Sequence, residues 1–171
     1  FDISVLELFG TLANGFKVVL YSNDMSQSED SQANSKKAVD FSLFYFAAGG
    51  KTADESAYNL LLEGAKYADE NGFAAVWTPE RHFDEFGGIY PAPAITNAAL
   101  STITKHIHLR AGSCVLPLNN PVNVAEQWSV IDNLSQGRTG IAFASGWHAD
   151  DFVLAPHNFE SRHDVMYQGI E

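Results

Sequence analysis

The chain has 171 residues and 46% hydrophobic content, enough for one domain with a sizeable buried core. Its 21 acidic residues outnumber 10 basic ones, and the formal net charge of −11 argues against a nucleic-acid or anionic-membrane partner. No stretch approaches the roughly 20 apolar residues that span a bilayer, and residues 1–20 lack a signal-peptide pattern, so we expect a cytoplasmic protein. The single cysteine, Cys114, lies in an apolar run that predicts a buried structural thiol.

The first 38 residues differ in composition from the rest. Apolar residues at helical spacing near the start are Val5, Leu6, Phe9 and Leu12. With the apolar run at 16–21, they predict a helix followed by a strand within residues 1–21. Residues 22–38 contain no aromatic or β-branched residue and predict a linker, because such a segment cannot bury enough apolar surface to fold.

From residue 39 onward, buried strands alternate with amphipathic helices. The predicted strands are residues 39–46, 73–78, 107–113 and 140–144. A capping box of Thr52 and Glu55 predicts the start of the first helix, which Asn71-Gly72 ends. The second helix is predicted from Pro93 to about Thr104, and the third follows an Asn120-Pro121 cap.

This alternation predicts an α/β fold with a parallel sheet, in either an open doubly wound form or a (β/α)8 TIM barrel. An eight-unit barrel needs about 250 residues. Residues 39–171 supply about half of that number. If the fold is a barrel, this chain is therefore predicted to contain only the first four of its eight strand-helix units.

Parallel α/β folds place their ligands at the carboxyl ends of the strands. The predicted strand ends run into residues 47–50, 79–83, 113 and 145–148. Small residues at three of these ends would let a flat ligand approach the backbone, and Phe46 and Trp147 offer faces for stacking. The pattern favours a planar aromatic cofactor.

The second strand end carries the polar chemistry. His82 could serve as a general base that Glu80 orients, and Arg81 could stabilise an anionic intermediate or a carboxylate. A metal-dependent barrel hydrolase is the alternative. Its candidate ligands are Glu80, His82, His148, Asp150 and Asp151. Their spacing is not distinctive, so no metal site is assigned and the hydrolase remains open.

Several motifs resemble one family. Residues 77–87 read Trp-Thr-Pro-Glu-Arg-His-Phe-Asp-Glu-Phe-Gly, residues 115–117 read Val-Leu-Pro, and Ser161-Arg162 follows later in order. Together they resemble the bacterial luciferase superfamily of flavin-dependent monooxygenases. The motifs Glu-Arg-His-Phe and Ala-Ser-Gly-Trp-His are most similar to those of the monooxygenase domains embedded in nonribosomal peptide synthetases. Arg81 stands where luciferase has its proposed catalytic histidine, and His82 aligns with the second histidine.

The resemblance implies a TIM-barrel monooxygenase that uses O2 and reduced flavin mononucleotide (FMN) delivered by a separate flavin reductase. It implies hydroxylation of an aminoacyl or peptidyl group on a peptidyl carrier protein. Gly112-Ser113 would lie along the flavin ring, where relatives have a non-proline cis peptide, and Ser145 and Arg162 would bind the phosphate. The implied cofactor-binding residues are Phe46, Gly112, Ser113, Ser145, Gly146, Trp147 and Arg162. The implied catalytic residues are Glu80, Arg81 and His82.

The beginning of the chain resembles a second family. Phe1-Asp2-Ile3-Ser4 is similar to a core motif of amino-acid adenylation domains, whose aspartate binds the α-ammonium group of the substrate. Asp2 would take that role, and Ile3 and Leu6 would line a side-chain pocket similar to glycine-type pockets. The remainder of an adenylation domain would then be a partner. We expect the 171 residues alone to be inactive, because a half-barrel leaves strand edges open and lacks further flavin contacts.

Overall fold

The computed structural model describes residues 40–45, 57–84 and 87–171, together with the backbone of two strands at 6–9 and 17–20. The strands are β1 (Leu6–Phe9), β2 (Lys17–Leu20), β3 (Ser42–Phe44), β4 (Ala75–Thr78), β5 (His108–Val115) and β6 (Thr139–Ala144). The helices are α1 (Asn59–Glu70), α2 (Pro93–Ile103), α3 (Pro121–Ser135) and α4 (Arg162–Ile170). Short 3-10 turns cover Leu116–Leu118, Ala149–Leu154 and Pro156–Asn158.

All six strands form one sheet in the order β2-β1-β6-β5-β4-β3. Strands β3 to β6 are parallel to their neighbours, with Ala75 beside His108 and Leu109 beside Thr139 in the register. Helices α1, α2 and α3 connect successive parallel strands, which is the crossover that parallel pairing requires. The predicted α/β fold with four parallel strands is confirmed.

The predicted helix near the start of the chain is wrong over residues 6–9. These residues form β1, which pairs antiparallel with β2 on one side and with β6 on the other, where Leu8 lies beside Ile141. Leu6 and Leu8 flank Glu7, which also fits the alternating pattern of a strand. A segment of this length is therefore compatible with both the helical and the strand periodicity. Pairing with the edge of β6 decides between them, because it provides the backbone hydrogen bonds that a strand needs. The predicted strand within residues 16–21 is confirmed as β2.

The helix boundaries show which local signals hold. The Asn120 side chain accepts hydrogen bonds from the backbone N–H groups of Val122 and Asn123, and Pro121 is the first residue of α3, as predicted. Helix α1 is described from Asn59, and both residues of the predicted capping box, Thr52 and Glu55, lie outside the described residues.

Two hydrophobic clusters fill the space between the helices and the sheet. One packs β4 and β5 against α1 and α2, with Leu61, Val76 and Leu109 at most 1% exposed. The other packs β5 and β6 against α2, α3 and α4 around Trp128 and Ile131. Burial of this apolar surface is the main force that holds the helices on the sheet.

The other face of the sheet is aromatic and basic. Phe44 stacks on Trp77 with ring centroids 6.2 Å apart, and the Arg110 guanidinium lies 4.9 Å from the centroid of the Trp77 ring. No helix among the described residues is long and apolar enough to cross a membrane.

Candidate active site

A cavity of about 110 Å³ opens where β4, β5 and β6 end. Six of the residues predicted for the site line it, namely Glu80, Arg81, Gly112, Ser113, Gly146 and Trp147. The remaining lining residues are Pro79, Val115, Ala144 and Asp151. The prediction that the carboxyl ends of neighbouring strands bring these residues together therefore agrees with the geometry.

The other predicted site residues are distributed differently. His82 adjoins the cavity through Glu80, and Ser145 and Arg162 lie on the segments that follow β6 without lining it. Phe46, Asp2 and Ile3 lie outside the described residues, and Leu6 is described only through the backbone of β1.

Arg81 is held by two carboxylates. Its Nη1 atom donates to Asp151 Oδ2 at 2.9 Å, and its Nη2 atom donates to Asp84 Oδ2 at 2.7 Å. The Arg81 and Asp151 side chains are both only 8% exposed, and the guanidinium lies 4.9 Å from the centroid of the largely exposed Trp147 ring. The positive charge expected to stabilise a substrate anion is thus already balanced within the protein.

His148 completes this charged cluster. Its Nε2 atom lies 3.9 Å from Asp84 Oδ2, and its Nδ1 atom lies 3.8 Å from Asp151 Oδ1. Its ring contacts the Trp147 ring edge-on, with centroids 5.1 Å apart. Arg81, Asp84, His148 and Asp151 therefore join the loop after β4 to the loop after β6.

Glu80 is a buried acceptor that links three segments. Its Oε2 atom accepts from the backbone N–H of Val115 at 2.6 Å, and its Oε1 atom accepts from Asn119 Nδ2 at 2.9 Å. His82 Nε2 lies 3.2 Å from the same Oε1 atom. The Glu80 side chain is 3% exposed, so these donors replace the water that a carboxylate otherwise needs.

Cys114 lies beside this carboxylate and is buried, as predicted. Burial raises the pKa of the thiol well above its ordinary value of 9.0, and the charge of Glu80 and a hydrogen bond to it raise that pKa further. The thiol therefore stays protonated at neutral pH and is a poor nucleophile.

The peptide bond between Gly112 and Ser113 is cis, at the position where the resemblance implies one. The register between β5 and β6 shifts between Gly112 and Cys114, so Ser113 bulges out of the ladder toward the cavity. A Cβ atom on Gly112 would lie 2.8 Å from the Phe44 ring and 2.9 Å from the Trp77 ring. Only glycine fits this position without displacing an aromatic side chain.

Gly146 also depends on the absence of a side chain. Its φ of +80° lies in the left-handed region that favours glycine, and a Cβ atom would lie 2.8 Å from Val115 Cγ1 and 2.9 Å from the Phe152 ring. The close packing holds the loop after β6 against the end of β5.

Arg162 connects the first turn of α4 to this loop. Its Nε atom donates to the carbonyl oxygen of Gly146 at 3.0 Å, and its Nη1 atom donates to the carbonyl oxygen of Phe159 at 2.9 Å. The Arg162 guanidinium is therefore bonded to Gly146, the residue that follows Ser145 in the chain.

The alternative metal site lacks a matching geometry. Within the described ranges, no group of three or more His, Cys, Asp or Glu side chains is arranged to hold a metal ion. Of the five candidate ligands, Glu80 accepts from N–H donors at both oxygens and Asp151 accepts from Arg81. These carboxylates hold protein donors where a metal site would require free ligand atoms.

The sequence assigned no role to two residues of this network, and it named Asp151 only as a candidate metal ligand. Asn119 follows a 3-10 turn and Asp84 lies in the loop after β4, so no periodic pattern distinguishes these two residues. The unusual φ of +57° at the exposed Phe83 marks the loop beside Asp84 as one that tertiary contacts constrain.

Comparison with known proteins identifies the family. The profile of the family described as luciferase-like monooxygenase matches residues 39–167. The chain belongs to the luciferase-like monooxygenase family. The match covers all four parallel strands, every residue that lines the cavity and most of α4.

Relatives with known names agree with this assignment. The oxygenase component of a flavin-dependent trigonelline monooxygenase from Acinetobacter baylyi is 32% identical over 114 residues, which are 66% of this chain and 31% of that protein. The alkanal monooxygenase alpha chain of Photorhabdus luminescens is 33% identical over 92 residues, which are 54% of this chain and 25% of that protein. The chain thus spans about a third or less of these relatives.

Solved structures agree in fold. The monooxygenase RslO1 from Streptomyces bottropensis matches with a TM-score of 0.73 and 28% identity, over 77% of this chain and 41% of that one. The oxygenating constituent of 3,6-diketocamphane monooxygenase from Pseudomonas putida, solved in complex with FMN, matches with a TM-score of 0.70 over 78% of this chain and 37% of that one. At 18% identity, this second likeness concerns the fold alone.

Proposed function

We propose that the protein containing this chain is an FMN-dependent monooxygenase that uses reduced FMN and O2 to hydroxylate an aminoacyl or peptidyl group held on a carrier protein. The observation that carries the proposal is the cavity at the carboxyl ends of β4, β5 and β6 in a chain of the luciferase-like family. The proposed catalytic residues are His82 and its sequence neighbours Glu80 and Arg81.

The residues present fit FMN on chemical grounds. Gly112, Ser113 and Gly146 leave backbone without bulky side chains at the cavity, and Trp147 adds an aromatic surface, which together suit a planar ring system. Ser145 and Arg162 would hold the phosphate through a hydroxyl and a guanidinium, the donors that phosphate oxygens accept well. We expect Phe46, which follows β3 in the sequence, to contribute a further apolar surface.

Bound reduced FMN supplies the electrons that activate O2 for insertion of one oxygen atom into the substrate. The protein must bind and orient both ring and substrate and must keep water away from them. The Trp147 ring, which lines the cavity, would exclude water from that side of it. His82 would hold or accept a proton at a ring nitrogen, as imidazole has two nitrogen atoms that can donate or accept.

The charge of the site supports a substrate whose carboxyl group is masked. Arg81 is the only basic residue that lines the cavity within the described part of the chain, and Asp84 and Asp151 balance its charge. Glu80 adds a further negative charge. A free amino acid would bring a carboxylate into this environment and be repelled, whereas a thioester on a carrier protein is neutral.

The first residues of the chain support the same assembly. Phe1-Asp2-Ile3-Ser4 resembles an adenylation-domain motif, in which Asp2 would bind an α-ammonium group and Ile3 and Leu6 would line the pocket. We therefore propose three partners, namely the remainder of an adenylation domain, a peptidyl carrier protein and a flavin reductase. The name of the trigonelline relative, an oxygenase component, accords with a separate reductase.

The test uses the full-length protein with reduced FMN and a carrier protein loaded with a glycyl group. Isotopically labelled O2 should add one labelled oxygen atom to the carrier-bound group, as read by mass spectrometry. Flavin titration gives a second measurement. Arg162→Ala should weaken FMN binding about tenfold, because a charge-assisted phosphate contact is lost.

His163→Ala changes an exposed neighbour of Arg162 and should leave FMN binding unchanged. Absence of both flavin binding and oxygen transfer in the full-length protein would contradict the proposed function. Oxygen transfer to free glycine but not to the carrier-bound group would contradict only the substrate class.

A further inference from the structure

His82 approaches Glu80 in a way that defines which ring nitrogen carries a proton. The Nε2 atom of His82 lies 3.2 Å from Glu80 Oε1, and the His82 side chain is 11% exposed. A hydrogen bond at this distance requires one hydrogen atom between the two atoms. The question is therefore whether the carboxyl group or the imidazole supplies it.

The surroundings of Glu80 answer this question. Its Oε2 atom faces the N–H of Val115 at 2.6 Å, and its Oε1 atom faces Asn119 Nδ2 at 2.9 Å. Both oxygens already meet N–H donors, so the carboxyl group acts as an acceptor on both sides. The hydrogen atom toward His82 then belongs to Nε2.

The orientation of Asn119 is equally constrained. Its Nδ2 atom donates to Glu80 Oε1 and also to the carbonyl oxygen of Val115 at 3.0 Å. Both partners are acceptors, and turning the amide over would put its oxygen against two other oxygens. Asn119 therefore donates to the carboxylate with a fixed amide orientation, and its backbone N–H donates to the carbonyl oxygen of Leu116 at 3.0 Å, which fixes its position after the turn at Leu116–Leu118.

We propose that Glu80 and Asn119 are positioning residues that hold His82 in the Nε2-protonated tautomer, so that Nδ1 presents the basic lone pair. This inference rests on the proposed function only for what Nδ1 does. In the oxygenation reaction, Nδ1 would be the atom that accepts a proton or a hydrogen bond. Nε2 would stay hydrogen-bonded to Glu80 throughout. Asn119 acts through Glu80 and touches no reacting group.

The tautomer can be measured without flavin, oxygen or substrate. Nuclear magnetic resonance of the protein with isotope-labelled histidine reports the protonation of each ring nitrogen, and His82→Gln identifies the signals of His82 by their loss. At alkaline pH, where imidazole is neutral, the Nε2-protonated form of His82 should exceed the other by about tenfold or more, as a hydrogen bond to a carboxylate favours it.

Two variants test the positioning residues. Glu80→Gln keeps the shape but weakens the acceptor, and Asn119→Leu removes the donor that orients the carboxylate. Each should lower the ratio of the two tautomers by about threefold or more, because the bond to His82 loses charge or alignment. In the oxygenation assay, both should lower kcat more than they raise KM, since His82 would be misdirected while the cavity keeps nearly the same shape.

Asn158→Leu is the matched control. Asn158 also donates its amide to a backbone carbonyl in this region, that of Pro117 at 2.8 Å, but does not contact Glu80. It should leave the His82 tautomer unchanged. A dominant Nδ1-protonated form, or a ratio that Glu80→Gln and Asn119→Leu both leave unaltered, would overturn the inference. A lack of oxygenation with the tautomer as stated would instead count against the proposed function.

Discussion

The positive charge of Arg81 lies in a cluster that contains two carboxylates. The guanidinium donates to Asp84 and Asp151, and the Trp147 ring lies over it. Sequence reasoning identified Arg81 from its place after a buried strand and expected it to bind an anion. Its partners Asp84 and Asp151 lie 3 and 70 positions away in the chain, and the sequence predicted neither contact.

Removing Asp151 should destabilise the fold, because it leaves one side of a buried guanidinium without a partner. We expect Asp151→Ala to lower the free energy of unfolding by about 2–3 kcal/mol, somewhat less than for an isolated buried pair because Asp84 remains. Denaturant unfolding followed by tryptophan fluorescence provides the measurement. Asp150→Ala, in the same turn but exposed, should change stability little. Equal effects of the two variants would mean that the Arg81–Asp151 ion pair does not stabilise the fold.

At the scale of elements, the end of α1 is attached to the start of β5 by one carboxylate. Asp69 accepts hydrogen bonds from the backbone N–H groups of Lys105, His106 and Ile107 at 2.9, 2.6 and 2.7 Å. Burial by itself would raise the pKa of Asp69, but these N–H donors and the charge of His106 outweigh it and lower that pKa below its ordinary value of 3.8. The lowered pKa means that ionised Asp69 stabilises the folded state.

Asp69→Asn should lower the free energy of unfolding by about 1–2 kcal/mol, a discounted value for hydrogen bonds that are partly exposed. The stabilisation is present above pH 3.8 and is lost as the pH falls through the lower pKa of the folded state. The difference between the parent protein and Asp69→Asn should therefore shrink as the pH falls below about 4. Urea unfolding across this range checks it, with exposed Glu70→Gln as the control. A difference independent of pH would refute the linkage.

Local signals found the elements of the parallel sheet, since periodicity and the Asn120-Pro121 cap depend only on neighbouring residues. They failed at β1. Over four residues the helical and strand periods both fit, and the choice depended on an edge of β6 that lies more than 130 positions away.

At the scale of the whole molecule, the sheet consists of four parallel strands with the antiparallel strands β1 and β2 at one side. Strand β6 has β5 on one edge and β1 on the other, so β1 covers backbone groups that would otherwise be open to another chain. In the part of the chain that the structure describes, β3 has a neighbour on one edge only.

Removal of residues 1–38 should therefore promote self-association, because it uncovers β6. We expect the truncated protein to show larger species than the parent in sedimentation velocity at equal concentration. A version that keeps both strands but replaces residues 22–38 with a Gly/Ser linker of equal length is the control, and it should behave like the parent. A monodisperse truncated protein would contradict a protective role for β1.

The sequence by itself determined the parallel α/β architecture, the family, and the strand ends that meet at the cavity. These depend on hydrophobic periodicity and on motifs that are contiguous in the chain. The tertiary structure alone decided that Arg81 is balanced by Asp151, that Asn119 and Val115 hold Glu80, and that β1 pairs with β6. Each of these is a hydrogen-bonded contact between segments distant in sequence, and such contacts leave no periodic trace because they depend on where the folded backbone brings the two partners.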